Sequence, residues 1–189
     1  LKNKIKRGVS DVFVFYSGHG VPDTNSGEPY FVPYNYDPRD IKTTGYSVKE
    51  FYKQLESLKA KSVTVVVDAC YQGFTGDDRP KPIIKDASPV AFEVTNPLLT
   101  IKNGVVFTAS SGKQVASWYR KKQHGIFTYY FLQGLGGRAD ADGNGQITVG
   151  ELRDYLMKNV PEQARILYND REQMPEIVGD RDAVMVKLK

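Results

Sequence analysis

Cys70 and His19 are the residues of this 189-residue chain best suited to covalent chemistry. Cys70 is the chain's one cysteine, and His19 is one of two histidines. A thiolate attacks carbonyl carbon, and a nearby imidazole takes or stabilises its proton. Cys70 follows Ser62-Val-Thr-Val-Val-Val-Asp68, a β-branched run that reads as a buried strand, with Asp68 two positions before the sulfur. His19 follows Asp11-Val-Phe-Val-Phe-Tyr-Ser17, which reads as a second strand buried on both faces, and is flanked by Gly18 and Gly20. Glycines there permit a sharp turn and leave amides facing a substrate. The backbone N–H groups of Gly20 and Cys70 are the candidates for an oxyanion hole. The alternative for the pair is a buried structural cysteine and an exposed loop histidine.

The elements that must position these residues alternate between strand and helix. Ser47–Leu58 has helical spacing, with Val48, Phe51, Leu55 and Leu58 on one face and a capping box from Ser47 to Glu50. Tyr30–Pro33 is expected as a short edge strand and Gly104–Thr108 as a third core strand. A helix is expected over Phe127–Leu135, ended by Gly136-Gly137, and another over Thr148–Lys158, stopped before Pro161. Ala183–Leu188 is the last strand. Residues 74–100 are rich in Pro, Asp and Lys and read as a flexible connection within a single domain over 1–189. Such alternation implies an α/β fold with a mostly parallel sheet, whose ligand site lies at the carboxyl ends of the strands. His19 and Cys70 would then share one edge.

Composition narrows the alternatives. The chain is 40% hydrophobic and 25% charged, with a net charge of +4. Its short lysine clusters read as solvated faces, so no nucleic-acid partner is expected, and no apolar run approaches a membrane span. One cysteine excludes an internal disulfide framework, and the chain has no GxGxxG, no P-loop and no zinc-ligand spacing. No cofactor is therefore expected for catalysis.

Residues 140–151 carry the outline of a calcium loop. Asp140, Asp142, Asn144 and Glu151 fall at positions 1, 3, 5 and 12 of an EF-hand-like loop, with Gly145 at 6 and the backbone carbonyl of Gln146 at 7. Ca²⁺ is the candidate ion. The alternative is a capped turn that keeps the shape of an ion site, because Thr148 to Glu151 is itself a capping box.

YSGHG at 16–20 and DACYQG at 68–73 resemble the caspase-like cysteine peptidases, and most closely the metacaspase and bacterial caspase-like branch. The caspase signature is Q-A-C-[RQG]-G, with a histidine about fifty residues upstream. Here Asp68 replaces the glutamine, and Tyr71-Gln72 separates Cys70 from Gly73. GVVFTASSGKQVASW (104–118), HGIFTYYFLQGL (124–135) and QMPEIVGD (173–180) extend the similarity over nearly the whole chain.

The resemblance implies a three-layer sandwich and a thiol endopeptidase with Cys70 as nucleophile and His19 as general base. It implies that Asp68 stands where caspases keep the pocket glutamine, and Tyr119 where they keep an arginine. An acid there favours Arg or Lys at P1, the substrate residue whose carbonyl is attacked. Ser110, Ser111 and Trp118 would line the pocket, and His124 would be structural. The other readings are a strand-end cap for Asp68 and a core indole for Trp118. Two initial strands of such a sheet would precede residue 1, so an N-terminal segment is expected, as a separate chain or as a removed or disordered piece. The alternatives to an enzyme are a non-catalytic caspase-like scaffold that binds partners and a calcium-responsive module.

Overall fold

A computed structural model describes residues 4–23, 25–37, 39–69, 103–111 and 114–189. Cys70 and the connection expected over 74–100 lie outside the described residues. The valine-rich run Ser62–Asp68 forms β5, with Val65, Val66 and Val67 fully inaccessible. On one side it pairs in parallel with β1 (Asp11–Ser17), and on the other with β6 (Gly104–Thr108). β10 (Glu176–Val178) adds to β6 in the antiparallel sense, giving the order β1-β5-β6-β10. β10 lies in a segment with no strand alternation long enough to reveal it.

Side chains alternate between the two faces of this sheet. Val12, Val63, Val65, Val67 and Val106 pack on α2 (Val48–Ser57), whose Val48, Tyr52 and Leu55 are buried. Ser47 caps α2 by accepting the Glu50 N–H at 3.3 Å. Val66, Val105 and Phe107 face the opposite layer, made by α3 (Ile126–Gln133) and α4 (Val149–Leu167). The result is three layers with apolar contacts on both sides of the sheet. At β1 the second layer gives out. Phe13 and Phe15 stay 57% and 47% exposed, so that strand is covered on one face rather than both.

Smaller elements depart from the expected boundaries. β3 (Pro29–Phe31) is the middle strand of a three-stranded sheet between β2 (Gly20–Pro22) and β4 (Tyr46–Ser47), and Pro33 lies beyond it. The four-residue helix α1 (Ile41–Thr44) leads into β4. α3 begins at Ile126 and widens into a π turn over Gly134–Arg138, inside which Gly137 leaves helical geometry at φ 111°. α4 runs through Pro161 to Leu167 instead of stopping before it. A proline inside a helix costs about 3 kcal/mol. Burial of Val160, Pro161 and Ala164 in the core offsets that. β11 (Val184–Lys187) leaves the central sheet and pairs with β9 (Gln146–Thr148).

Polar clamps fix the loops at the carboxyl ends of the strands. Asp23, buried just after β2, accepts hydrogen bonds from Ser26 Oγ at 2.7 Å and Asn25 N at 3.2 Å, and its Oδ2 lies 2.9 Å from Lys42 Nζ. Gln173 is fully buried. Its Oε1 accepts the Ser117 N–H at 2.9 Å and its Nε2 donates to the Ala109 carbonyl at 3.0 Å. One side chain thus closes the loop that leaves β6.

Two outcomes are expected. Burial alone would raise the Asp23 pKa, but the bonds from Ser26, Lys42 and Asn25 hold it at about 2. Because that pKa is depressed, the stabilisation is present above about pH 4 and is lost as pH falls toward 2. The stability gap between wild type and Asp23→Asn, measured by urea denaturation, should narrow over that window; a gap that widens there contradicts the assignment. Gln173→Leu leaves a buried N–H and a buried C=O without partners and should cost about 2–5 kcal/mol. A loss below about 0.5 kcal/mol in the same measurement would remove the clamp.

Candidate active site

The register of the parallel sheet builds the site. Ser17 pairs with Asp68, and Val67 with Thr108, so β1, β5 and β6 end together at one edge. The Gly18 N–H donates to the Asp68 carbonyl at 3.2 Å, extending the β1–β5 pairing one residue past the strand. His19 stands two residues beyond Ser17, and in sequence Cys70 stands two beyond Asp68. The described chain stops at Ala69, which is buried.

His19 is held through its backbone. Its carbonyl accepts the Tyr16 hydroxyl at 2.7 Å and the Val32 N–H at 3.0 Å. The Tyr16 ring packs on Phe31, with centroids 4.2 Å apart. The histidine side chain is exposed, whereas Gly20, which opens β2, is buried. This leaves the imidazole at the rim of the strand ends on a fixed backbone.

Asp68 turns its carboxylate inward, toward the first turn of α3. Oδ2 accepts the Thr128 N–H at 3.3 Å and also the Thr128 hydroxyl. A Cβ at Gly125 would collide with that same oxygen, so glycine is required there. α3 has Gly125 as its N-cap, no side-chain cap of its own and no acid in its first turn. Asp68 supplies the missing capping acceptor from another strand. The aspartate is 6% exposed. Burial raises its pKa, while the Thr128 bonds and the charge of His124 act the other way. The strand-end-cap reading therefore describes one oxygen of this group. Among the described residues, no lysine or arginine pairs with it.

The loop after β6 carries Ser110 and Ser111, both half-buried. Ser110 Oγ donates to the Gln114 carbonyl and Ser111 Oγ to Gln114 Oε1, each at 3.3 Å. Gln114 Oε1 also accepts the Met174 N–H at 2.6 Å. A short hairpin follows, β7 (Trp118–Tyr119) paired with β8 (His124–Gly125). Trp118 is 43% exposed and so is no core indole; its carbonyl accepts the Tyr168 hydroxyl at 2.6 Å. Tyr119 lies opposite His124, and its ring meets Tyr129 of α3 edge-on at 5.1 Å. The Ile126 N–H donates to the Ser117 carbonyl at 2.8 Å, tying α3 to the start of the hairpin. These contacts gather Asp68, Ser117, Gln173 and the α3 N-terminus into one buried polar cluster. Sequence reasoning missed Gln173 and Thr128, because neither carries a motif that marks a long-range partner.

The acidic loop follows α3 in the chain and leads into α4. The carboxylates of Asp140, Asp142 and Glu151 offer ligand atoms within 4.8 Å of one another. Asp140 accepts the N–H groups of Asn144 and Gly145, and Asn144 Oδ1 accepts the Gln146 N–H. Glu151 completes the capping box with Thr148, whose hydrogen bonds lower the Glu151 pKa. β9 contains Gln146 and pairs with β11, so the end of this loop leans on that strand.

A family model described as "Caspase domain" matches residues 1–183. Among solved structures, the chain is similar to caspase-1 from Spodoptera frugiperda at 13% identity and a TM-score of 0.55, covering 95% of this chain and 63% of that one. It is also similar to a protein from Geobacter sulfurreducens at 15% identity and a TM-score of 0.59, covering 94% and 68%. The chain thus spans less than two thirds of the caspase-1 chain it matches. A search of curated proteins returns no match. No described helix is long and apolar enough to cross a membrane. With three layers around a mostly parallel sheet and a family match over nearly its whole length, this chain belongs to the caspase-domain family.

Proposed function

We propose that this chain is a cysteine endopeptidase that cleaves after Arg or Lys. The observation that carries the reading is the shared end of β1 and β5, where Ser17 pairs with Asp68 and His19 and Cys70 follow at equal distance along the chain. His19 takes the thiol proton, and the sulfur attacks the scissile carbonyl. A C–S bond forms, and the oxyanion is received by the N–H groups of Gly20 and Cys70. The C–N bond then breaks, and His19 returns its proton to the leaving amine. Water, deprotonated by His19, cleaves the thioester and restores the thiol. Asp68 is the acid that receives the P1 side chain, and the loop with Ser110 and Ser111 and the indole of Trp118 form the walls. A buried carboxylate with no cation among the described residues supports a cationic substrate side chain.

The second reading concerns residues 140–151. We infer that they bind Ca²⁺, supported by the three convergent carboxylates and by the oxygens of Asn144 and Gln146 in the loop spacing. Such an ion would brace the turn between α3 and α4.

A fluorogenic peptide panel with Arg, Lys, Asp or Asn at P1 tests the first reading. Arg or Lys should exceed Asp in kcat/KM by about 100-fold or more, as expected for a mismatched buried charge worth about 3 kcal/mol. Cys70→Ala should abolish turnover. A preference for Asp would overturn the role given to Asp68. Calorimetric Ca²⁺ titration tests the second, because Glu151→Gln keeps the capping geometry while removing a ligand charge. Affinity should fall at least about tenfold, and unchanged affinity removes the site.

A further inference from the structure

We infer that Thr128, seated over Gly125, is a positioning residue that aims Asp68 and thereby sets the charge selectivity of cleavage. This rests on the reading of Asp68 as the acid that receives the P1 side chain.

Three observations lead to it. Both hydrogen bonds from Thr128, through its N–H and its hydroxyl, fall on Oδ2. That fixes the rotation of the carboxyl group and commits one oxygen to α3. Gly125 lets the carboxylate settle against the helix backbone, where any Cβ would push it off. Finally, among the described residues, both bonds to the carboxylate fall on Oδ2 and none on Oδ1, the oxygen we assign to an incoming cation.

The energetics agree with the geometry. A carboxylate this buried resists ionisation, and the bonds from Thr128 oppose that resistance. The N-terminus of α3 adds the positive end of a helix dipole. Among the described residues, His124, on β8, is the titratable neighbour whose charge lowers the Asp68 pKa. Without the hydroxyl, Asp68 would protonate at a higher pH and be held to α3 by the Thr128 N–H alone. A guanidinium would then meet a carboxyl group that is misaimed and more often neutral. A neutral P1 side chain of the same shape would lose far less.

The test compares peptides that differ only in arginine or citrulline at P1, across pH 5.5–8.5, on the full chain. Thr128→Val keeps the N–H and removes the hydroxyl. The arginine arm of kcat/KM should fall about tenfold more than the citrulline arm, and its acid limb should move to higher pH. Thr128→Ser should restore both. Gly125→Ala, which displaces the carboxylate with the hydroxyl intact, should give the same loss of selectivity and stands in if Thr128→Val does not fold. Equal loss in both arms, or an unmoved acid limb, overturns the inference and leaves Thr128 a structural cap. A wild-type arginine-to-citrulline ratio near one overturns instead the reading of Asp68 on which it rests.

Discussion

Val65, Val66 and Val67 expose no surface, and a strand so enclosed needs a neighbour on each edge and a packed layer on each face. β1 and β6 meet the first requirement, and α2 and the α3–α4 pair meet the second. Because β1, β5 and β6 run parallel, their carboxyl ends fall at one edge, and the loops carrying His19, Asp68, Ser110 and Ser111 gather there. The position of the candidate site follows from hydrophobic burial several residues away.

The polar interior is built to serve that edge. Asp68, Gln173 and Asp23 are each buried, and each satisfies backbone or side-chain groups of a loop beside the strand ends. A polar group in such a place loses its hydration and is retained only if its bonds are made. Their geometry is consequently narrow. Gln173 spans from Ala109 to Ser117, which a shorter amide would not reach. The described residues contain no buried side-chain polar atom left without a partner.

Much of this was legible in the sequence, and the reasons for the rest are physical. The β-branched runs at 62–68 and 104–108 and the amphipathic spacing at 47–58 are local signals strong enough to survive in any fold. That the strands preceding His19 and Cys70 end at one sheet edge also followed from reading both into a parallel sheet. Pro161 misled because a local rule ends helices at proline, whereas here core contacts by Val160 and Ala164 outweigh it. β1 looked buried on both faces because alternation of Val and Phe cannot tell a central strand from one at the margin. The bonds from Thr128 and Gln173 span about sixty residues and left no periodic trace. The pairing of β9 with β11 was hidden likewise, since strands of three and four residues carry too little pattern to read.

The close seating of Asp68 over Gly125 has an evolutionary consequence. Positions 68 and 125 are far apart in sequence yet share one small volume, so neither drifts independently. A descendant that acquires a side chain at 125 while keeping the acid would lose the packing of both. One that first shortens residue 68 opens the space. The order of substitution is thereby constrained, and lineages with different residues at 68 should show correspondingly different tolerance at 125.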